Sequence, residues 1–174
     1  KVVKPVIRPP GRARFGTKPP PTGSVTCTNT IGSAPLTGSS PANTGVATAR
    51  AALNWTVEYV KERRAFGQPI SSFQNTKFVL AEVKTEVDIA QAYIDQCVLK
   101  LADRELTAAE AAQAKYWCTE LQQRSIDRCL QLFGGYGYMT EYPIGRAYAD
   151  ARITSIYGGT TEVMKTIIAK SLGL

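Results

Sequence analysis

Hydrophobic residues from Asn43 onward recur every three or four positions, which is the spacing of one face of an α-helix. Asn43 or Thr44 is expected to cap the first helix, and Gly67 and Pro69 are expected to end it. The apolar stripe of this predicted helix comprises Val46, Ala49, Leu53, Val57 and Val60.

Two further long helices are predicted. The second opens at Ser71 or Ser72 and runs to about Ala102. Its expected buried face comprises Phe78, Ala81, Val87, Ala90, Ile94, Val98 and Leu101. The third begins at the capping box Thr107-Ala108-Ala109-Glu110 and stops at Gly134-Gly135. Its expected stripe contains Ala114, Trp117, Leu121, Ile126 and Leu130.

Shorter helices are predicted in the last quarter of the chain. Pro143 suits the first turn of a fourth helix. Thr160 or Thr161 is expected to cap a last helix that carries Val163, Ile167 and Ile168. Because no strand pattern competes, the sequence predicts an all-α fold, a helical bundle over residues 43–174.

The first 42 residues have a different composition. They hold eight of the ten prolines, they are otherwise rich in Gly, Ser, Thr, Arg and Ala, and they show no sustained period. Such a segment cannot bury enough apolar area to offset the entropy lost on ordering. Residues 1–42 are therefore predicted to be disordered or loosely packed.

The net charge of +7 is concentrated in this first segment. Residues 1–45 hold six basic side chains and no acidic one, whereas the remaining 15 basic residues nearly balance the 14 acidic ones. A basic tail suits a nucleic-acid binder, and that function stays open as an alternative. A solvated tail is favoured, because the tail has no interleaved aromatics and no helical period.

Composition also indicates which metal sites and which cellular compartment to expect. The chain has no histidine, and none of its four cysteines forms a CxxC pair, so no metal site is expected. Cys97, Cys118 and Cys129 sit among apolar helical residues and are predicted to fill the core. The lack of a disulfide framework suits a reducing compartment and predicts a cytoplasmic location. No apolar run is long enough for a membrane span.

The glycine-containing motifs carry the most specific information. They are Gln131–Tyr138, then Glu141-Tyr142-Pro143, then Ile156–Glu162, with Glu62–Gly67 and Gln74 upstream. Turns that bring backbone N–H groups to a helix start hold phosphates and polarised oxygens. In this order, over residues 43–174, the motifs resemble the C-terminal domain of the acyl-CoA dehydrogenases, flavoproteins that oxidise acyl-CoA thioesters. Residues 1–42 lie outside this resemblance.

The resemblance implies FAD contacts at eight positions: Arg63, Phe66, Gln74, Gln131, Gly134, Gly135, Thr160 and Glu162. It implies that Arg63 binds the FAD pyrophosphate, a task that suits a planar guanidinium. It further implies that Gln131 and the glycine pair contact the adenosine end of a neighbouring subunit's FAD, and that Thr160 and Glu162 lie near the ribityl-phosphate region. Gly159 matches a position beside the substrate thioester.

One departure from the family pattern concerns the catalytic base. Gly158 stands where many family members have the glutamate that removes the α-proton. In the long-chain and isovaleryl branches the base comes instead from the start of the first helix, which corresponds to a position near Thr37. No acidic residue lies between Lys1 and Gly45. The resemblance is closest to the long-chain branch, and no catalytic residue is assigned.

The implied function is FAD-dependent α,β-dehydrogenation of acyl-CoA in fatty-acid oxidation, by a homo-oligomer (dimer or tetramer), with this chain a truncated or inactive fragment. An alternative is a non-catalytic helical oligomerisation module. One hypothesis for residues 1–42 is translation of a GC-rich gene in a shifted frame.

Overall fold

The structure, a computed structural model, describes residues 40–174. They form five α-helices and a hairpin of two short antiparallel strands. In chain order these are α1 (Pro41–Glu62), β1 (Arg64–Ala65), β2 (Gln68–Pro69), α2 (Gln74–Ala102), α3 (Ala108–Phe133), α4 (Pro143–Thr154) and α5 (Thr161–Ser171). Short 3₁₀ turns cover Ile70–Ser72 and Gly134–Tyr138. The predicted helical bundle is confirmed. Disorder was predicted for residues 1–42; residues 1–39 lie outside the described residues, whereas for residues 40–42 the prediction is wrong, because Ser40 caps α1 and Pro41 begins it.

The start of α1 lies earlier than predicted. Ser40 is the N-cap, and its hydroxyl accepts from the Asn43 backbone N–H at 3.3 Å. The predicted cap at Asn43 or Thr44 is wrong, because Pro41 occupies the first helical position, where its missing N–H is not needed. The helix ends at Glu62 rather than near Gly67, because the chain turns into the hairpin.

The start of α2 also differs from the prediction. Ser71 and Ser72 lie in a 3₁₀ turn, and the N-cap of α2 is Phe73, which makes no side-chain capping bond. The Ser72 hydroxyl donates to the Pro69 carbonyl at 2.6 Å and is therefore not available as a cap. The hairpin itself was not predicted, because strands of two residues are too short to show an alternating pattern.

The predicted buried face of α2 is partly wrong. Val87, Ala90 and Ile94 are buried as predicted, together with Thr76, Val83 and Cys97. Phe78 is 57% exposed, and Ala81 and Val98 are also exposed. Apolar residues occupy more than one face of this helix, so the period did not identify the face that packs. For the same reason Trp117 in α3 and Val163 in α5 are exposed rather than buried.

The helix α3 lies at the centre of the bundle and contacts every other helix. Its predicted capping box is confirmed: Thr107 Oγ1 accepts from the Glu110 N–H at 3.2 Å, and Glu110 Oε2 accepts from the Thr107 N–H at 3.0 Å. Lys100 and these capping bonds lower the pKa of Glu110 to about 2. Gly45 of α1 packs directly against the α3 backbone, where an added Cβ would lie 2.7 Å from the Cys118 carbonyl oxygen.

The three described cysteines, Cys97, Cys118 and Cys129, are buried with free thiols, as predicted. Burial raises the pKa of each thiol, to about 12 for Cys118, so none is a ready nucleophile. Within residues 40–174 no cluster of three metal-ligating side chains occurs. No helix in this range has the length and hydropathy needed to cross a membrane.

Candidate functional site

Arg63 and the glycine pair, which are far apart in sequence, meet at one end of the bundle. Arg63 caps the C-terminus of α1, and its backbone N–H donates to the Tyr59 carbonyl at 2.9 Å. Its guanidinium carbon lies 5.1 Å from the centre of the Tyr136 ring. Because Tyr136 follows Gly134-Gly135 directly, the structure brings a cation-bearing side chain beside an open glycine backbone.

A cluster of four aromatic rings holds this end together. Tyr59 stacks on Phe133 with ring centres 4.1 Å apart, and the Tyr59 hydroxyl donates to the Phe133 carbonyl at 3.2 Å. Tyr142 packs edge-on against both rings and lies 5.5 Å from Tyr136. The sequence analysis missed Tyr136 as a partner of Arg63. An aromatic residue directly after the glycine pair was the available signal.

The backbone of Gly134 and Gly135 is open to a ligand. Both residues are exposed, and an added Cβ would meet nothing within 4 Å at either position. Gly134 has φ 60 and ends α3. Gln131 is an exposed residue in the last turn of α3. Gly137 differs, because an added Cβ there would lie 2.8 Å from the Leu130 carbonyl oxygen. Gly137 therefore serves packing, whereas the glycine pair leaves room for a cofactor to approach the backbone.

The hairpin presents a second aromatic group. Phe66 and Gly67 form its tip with φ 51 and φ 81, and the Phe66 side chain is 95% exposed. Its ring lies edge-on to Phe73, with 6.3 Å between centres. Gln74 is the exposed first residue of α2. The hairpin, which begins directly after Arg63, thus places Phe66 against Phe73, the residue directly before Gln74.

The other predicted site residues lie in the turn before α5, except Glu162, which lies in the first turn of α5. Gly158 and Gly159 have φ 64 and φ 99, and Thr160 is the N-cap, accepting from the Val163 N–H at 3.4 Å. The pKa of Glu162 is lowered by its own backbone N–H and by the Thr160 hydroxyl. Lowering its pKa makes this carboxylate a weaker base.

The direction of a side chain at position 158 bears on the missing base. An added Cβ on Gly158 would lie 3.6 Å from Pro41 Cγ, at the start of α1. Position 158 and the beginning of α1 therefore face each other. The other position considered for the base, Thr37, lies outside the described residues.

The two sets of predicted site residues do not meet. Lys115, in the first half of α3, contacts Gly159. Phe133, at the other end of α3, contacts Tyr59, which lies one helical turn before Arg63. Lys115 and Phe133 are eighteen positions apart, so at 1.5 Å per residue they are separated by ~27 Å along the axis of α3. Residues near Arg63 and residues near Gly159 would therefore contact distant parts of a ligand, or two ligands.

The donor set fits a flavin nucleotide. At one end of the bundle, the Arg63 guanidinium suits a phosphate, and the exposed backbone of Gly134-Gly135 leaves room for the groups next to that phosphate. The capped N-terminus of α5 offers backbone N–H groups at the other. Within residues 40–174, the carboxylates beside the Gly158–Thr160 turn are Glu120, which accepts from Thr161 Oγ1 at 3.0 Å, and Glu162.

Comparison with known proteins gives consistent matches. The sequence profile "Acyl-CoA dehydrogenase, C-terminal domain" matches residues 40–173. The long-chain specific acyl-CoA dehydrogenase of Sus scrofa mitochondria is 47% identical over 117 residues, covering 67% of this chain and 27% of that protein. The short-chain specific acyl-CoA dehydrogenase of Megasphaera elsdenii is 38% identical, covering 71% and 32%.

Solved structures agree with the sequence matches. The crystal structure of an acyl-CoA dehydrogenase from Geobacillus kaustophilus superposes with a TM-score of 0.75 at 40% identity, covering 77% of this chain and 35% of that one. The chain therefore spans about a third of the length of the proteins it matches.

Proposed function

We propose, because the chain belongs to the acyl-CoA dehydrogenase family, that residues 40–174 form the C-terminal helical domain of a FAD-dependent enzyme acting on acyl-CoA thioesters. When bound, FAD supplies the hydride acceptor for conversion of an acyl-CoA to a trans-enoyl-CoA. The similarity to a long-chain specific relative favours a role in fatty-acid oxidation. A cytoplasmic location stays a prediction.

The convergence of Arg63 with the Gly134-Gly135 backbone is the observation that carries this proposal. Arg63 and Gly134 are 71 positions apart in sequence and are joined in space through Tyr136. In the proposed function Arg63 binds the FAD pyrophosphate, and Gln131, Gly134 and Gly135 contact the adenosine end. The turn with Gly159, Thr160 and Glu162 would contact the flavin end and the thioester of another site, because it lies ~27 Å away along α3.

We expect Arg63→Ala to weaken FAD binding by the chain about 10- to 100-fold. The reason is the loss of a charge-assisted contact, which is typically worth about 1.5–3 kcal/mol. The measurement is an NMR titration of the 174-residue chain with FAD, followed at Gly134, Gly135 and Gln131. Binding to the isolated chain is expected to be weak, and this method measures weak binding.

Arg64→Ala is the matched control for that experiment. Arg64 is the adjacent exposed arginine, and its guanidinium donates to the Gly67 carbonyl within the hairpin at 2.8 Å. Its removal is expected to change the FAD dissociation constant by less than about twofold, since only the general surface charge changes. Equal losses in both variants, or FAD shifts that avoid the glycine pair, would count against the proposal.

A second candidate function, a helical oligomerisation module, is favoured by an unpartnered face of α2. Phe78 and Ile89 lie three helical turns apart on this face and are 57% and 63% exposed. Large apolar side chains exposed on one face of a helix are typical of an interface. In the proposed function this face would join subunits of a dimer or tetramer.

Sedimentation velocity of the flavin-free chain measures this assembly. Ile89→Asp is expected to shift an oligomer toward monomer, because a carboxylate in an apolar interface loses its hydration without gaining a partner. Ile153→Asp, at an exposed isoleucine of α4, is the control and should leave the distribution unchanged. A monomeric unmodified chain at high micromolar concentration would exclude the module.

A further inference from the structure

Lys115 is the only buried basic side chain among residues 40–174. It lies on α3, it is 6% exposed, and its ammonium donates to the Gly159 carbonyl. Within the described residues no carboxylate lies within ion-pair distance of this ammonium. Burying an ammonium is unfavourable unless its partner is strong. A buried cation whose partner is a single neutral carbonyl points to a role besides stability.

The Gly159 carbonyl belongs to the turn between α4 and α5. Helix α3 holds this turn at two points: Lys115 binds the Gly159 carbonyl, and Glu120 accepts from the Thr161 hydroxyl at 3.0 Å. The Thr161 N–H also donates to the Ser155 carbonyl at 3.2 Å. The orientation of the Gly159–Thr160 peptide bond is therefore fixed by its carbonyl group.

Fixing that carbonyl also fixes a backbone donor. In a planar trans peptide the C=O and the N–H point in opposite directions. Because the Gly159 carbonyl points at Lys115 on α3, the Thr160 N–H points away from α3. Within residues 40–174, the N–H groups of Gly158, Gly159 and Thr160 have no hydrogen-bond acceptor. The ammonium also polarises this peptide and makes its N–H a stronger donor.

We propose that Lys115 is a positioning residue. Its ammonium fixes the Gly158–Thr160 turn, so that the free N–H groups of the turn can donate hydrogen bonds to an oxygen atom of the ligand. This inference rests on the proposed function, which places the turn beside FAD and the acyl thioester. Both ligands offer the required chemistry, a phosphate or hydroxyl oxygen in one and a thioester carbonyl oxygen in the other. Lys115 itself touches neither.

The charges around Lys115 set the direction of its titration. Burial lowers the pKa of Lys115 below its ordinary value, while Glu120 on α3 and Glu162 on α5 oppose this shift. Lys165 on α5 lies over the ring of Tyr116, the residue after Lys115, with 4.9 Å between its ammonium and the ring centre. The described start of α1, which faces the turn at Pro41, carries no charged side chain before Arg50.

The test follows the Gly159 carbonyl carbon of the 174-residue chain by carbon-detected NMR across alkaline pH. If Lys115 binds this carbonyl, the Gly159 shift moves together with the Lys115 Cε shift, with a common midpoint below the ordinary lysine value of 10.5. Lys115→Met keeps the apolar stem and should abolish the Gly159 titration. Lys165→Met removes a neighbouring charge and should preserve it. A role confined to packing predicts no linked titration.

Two further titrations measure the binding of FAD and of butyryl-CoA separately. Lys115→Met is expected to weaken about tenfold the binding of whichever ligand shifts the turn, the loss typical of one hydrogen bond, whereas Lys165→Met should change it less than twofold. A Gly159 carbonyl that ignores Lys115 titration in the unmodified chain overturns the inference, whether or not Lys115→Met folds. A linked titration with no shift from either ligand supports the held turn and counts against the proposed function instead.

Discussion

The 174-residue chain supplied with FAD is expected to show no acyl-CoA-dependent reduction of an electron acceptor above the free-flavin background. The first reason is the missing base. Gly158 has no carboxylate, and no acidic residue lies between Lys1 and Gly45. Loss of a positioned general base alone typically lowers a rate by ~10²–10⁴-fold. Glu162 is no substitute, because its lowered pKa weakens it as a base.

The second reason is the extent of the flavin site. The chain corresponds to 27–35% of the length of the relatives it matches. Its two sets of site residues lie ~27 Å apart along α3, so the two sets cannot enclose one flavin ring together. A hydride acceptor that is not held near the β-carbon loses the benefit of orientation, which contributes several kcal/mol to catalysis. The two deficits should compound, because base and acceptor act on adjacent bonds.

The assay compares butyryl-, octanoyl- and palmitoyl-CoA with a full-length acyl-CoA dehydrogenase as the positive control. Gly158→Glu serves as a diagnostic variant, since it adds a carboxylate that would face the start of α1. It should remain inactive, because the flavin is still not held. Turnover by the unmodified chain with any substrate would contradict the prediction and require a base that the sequence does not reveal.

Local signals along the chain were strong enough to predict several elements. The capping box at Thr107 and Glu110 and the N-cap at Thr160 depend on residues three apart, and both formed as expected. The predicted start of α2 was wrong because the Ser72 hydroxyl donates to the Pro69 carbonyl instead of capping the helix. The exposure of Phe78 was missed because α2 carries apolar residues on more than one face.

Contacts between distant segments explain what the sequence did not reveal at the site. The pairing of Lys115 with Gly159 joins residues 44 positions apart, and a lysine on a helix is ordinarily a solvated one. The contact of Arg63 with Tyr136 likewise depends on how α1 packs against the end of α3. The motifs predicted which residues would carry chemistry, and the packing shows that these residues form two separate groups.

The second large effect is expected from Leu121→Ala. Leu121 is fully buried on α3, the helix that contacts every other helix of the bundle. Its truncation removes buried methyl and methylene groups and leaves a cavity, since the surrounding helices relax only in part. We expect the free energy of unfolding to fall by about 2–5 kcal/mol.

Urea denaturation followed by circular dichroism measures this loss, with Leu172→Ala as the control. Leu172 is 71% exposed at the end of α5, so the same change there should cost less than about 0.5 kcal/mol. The midpoint of Leu121→Ala should shift without a change in the slope of unfolding, because the surface exposed on unfolding stays nearly the same. Equal stabilities for the two variants would mean that α3 is not the centre of the core, and the placement of both Lys115 and Phe133 would then lose its support.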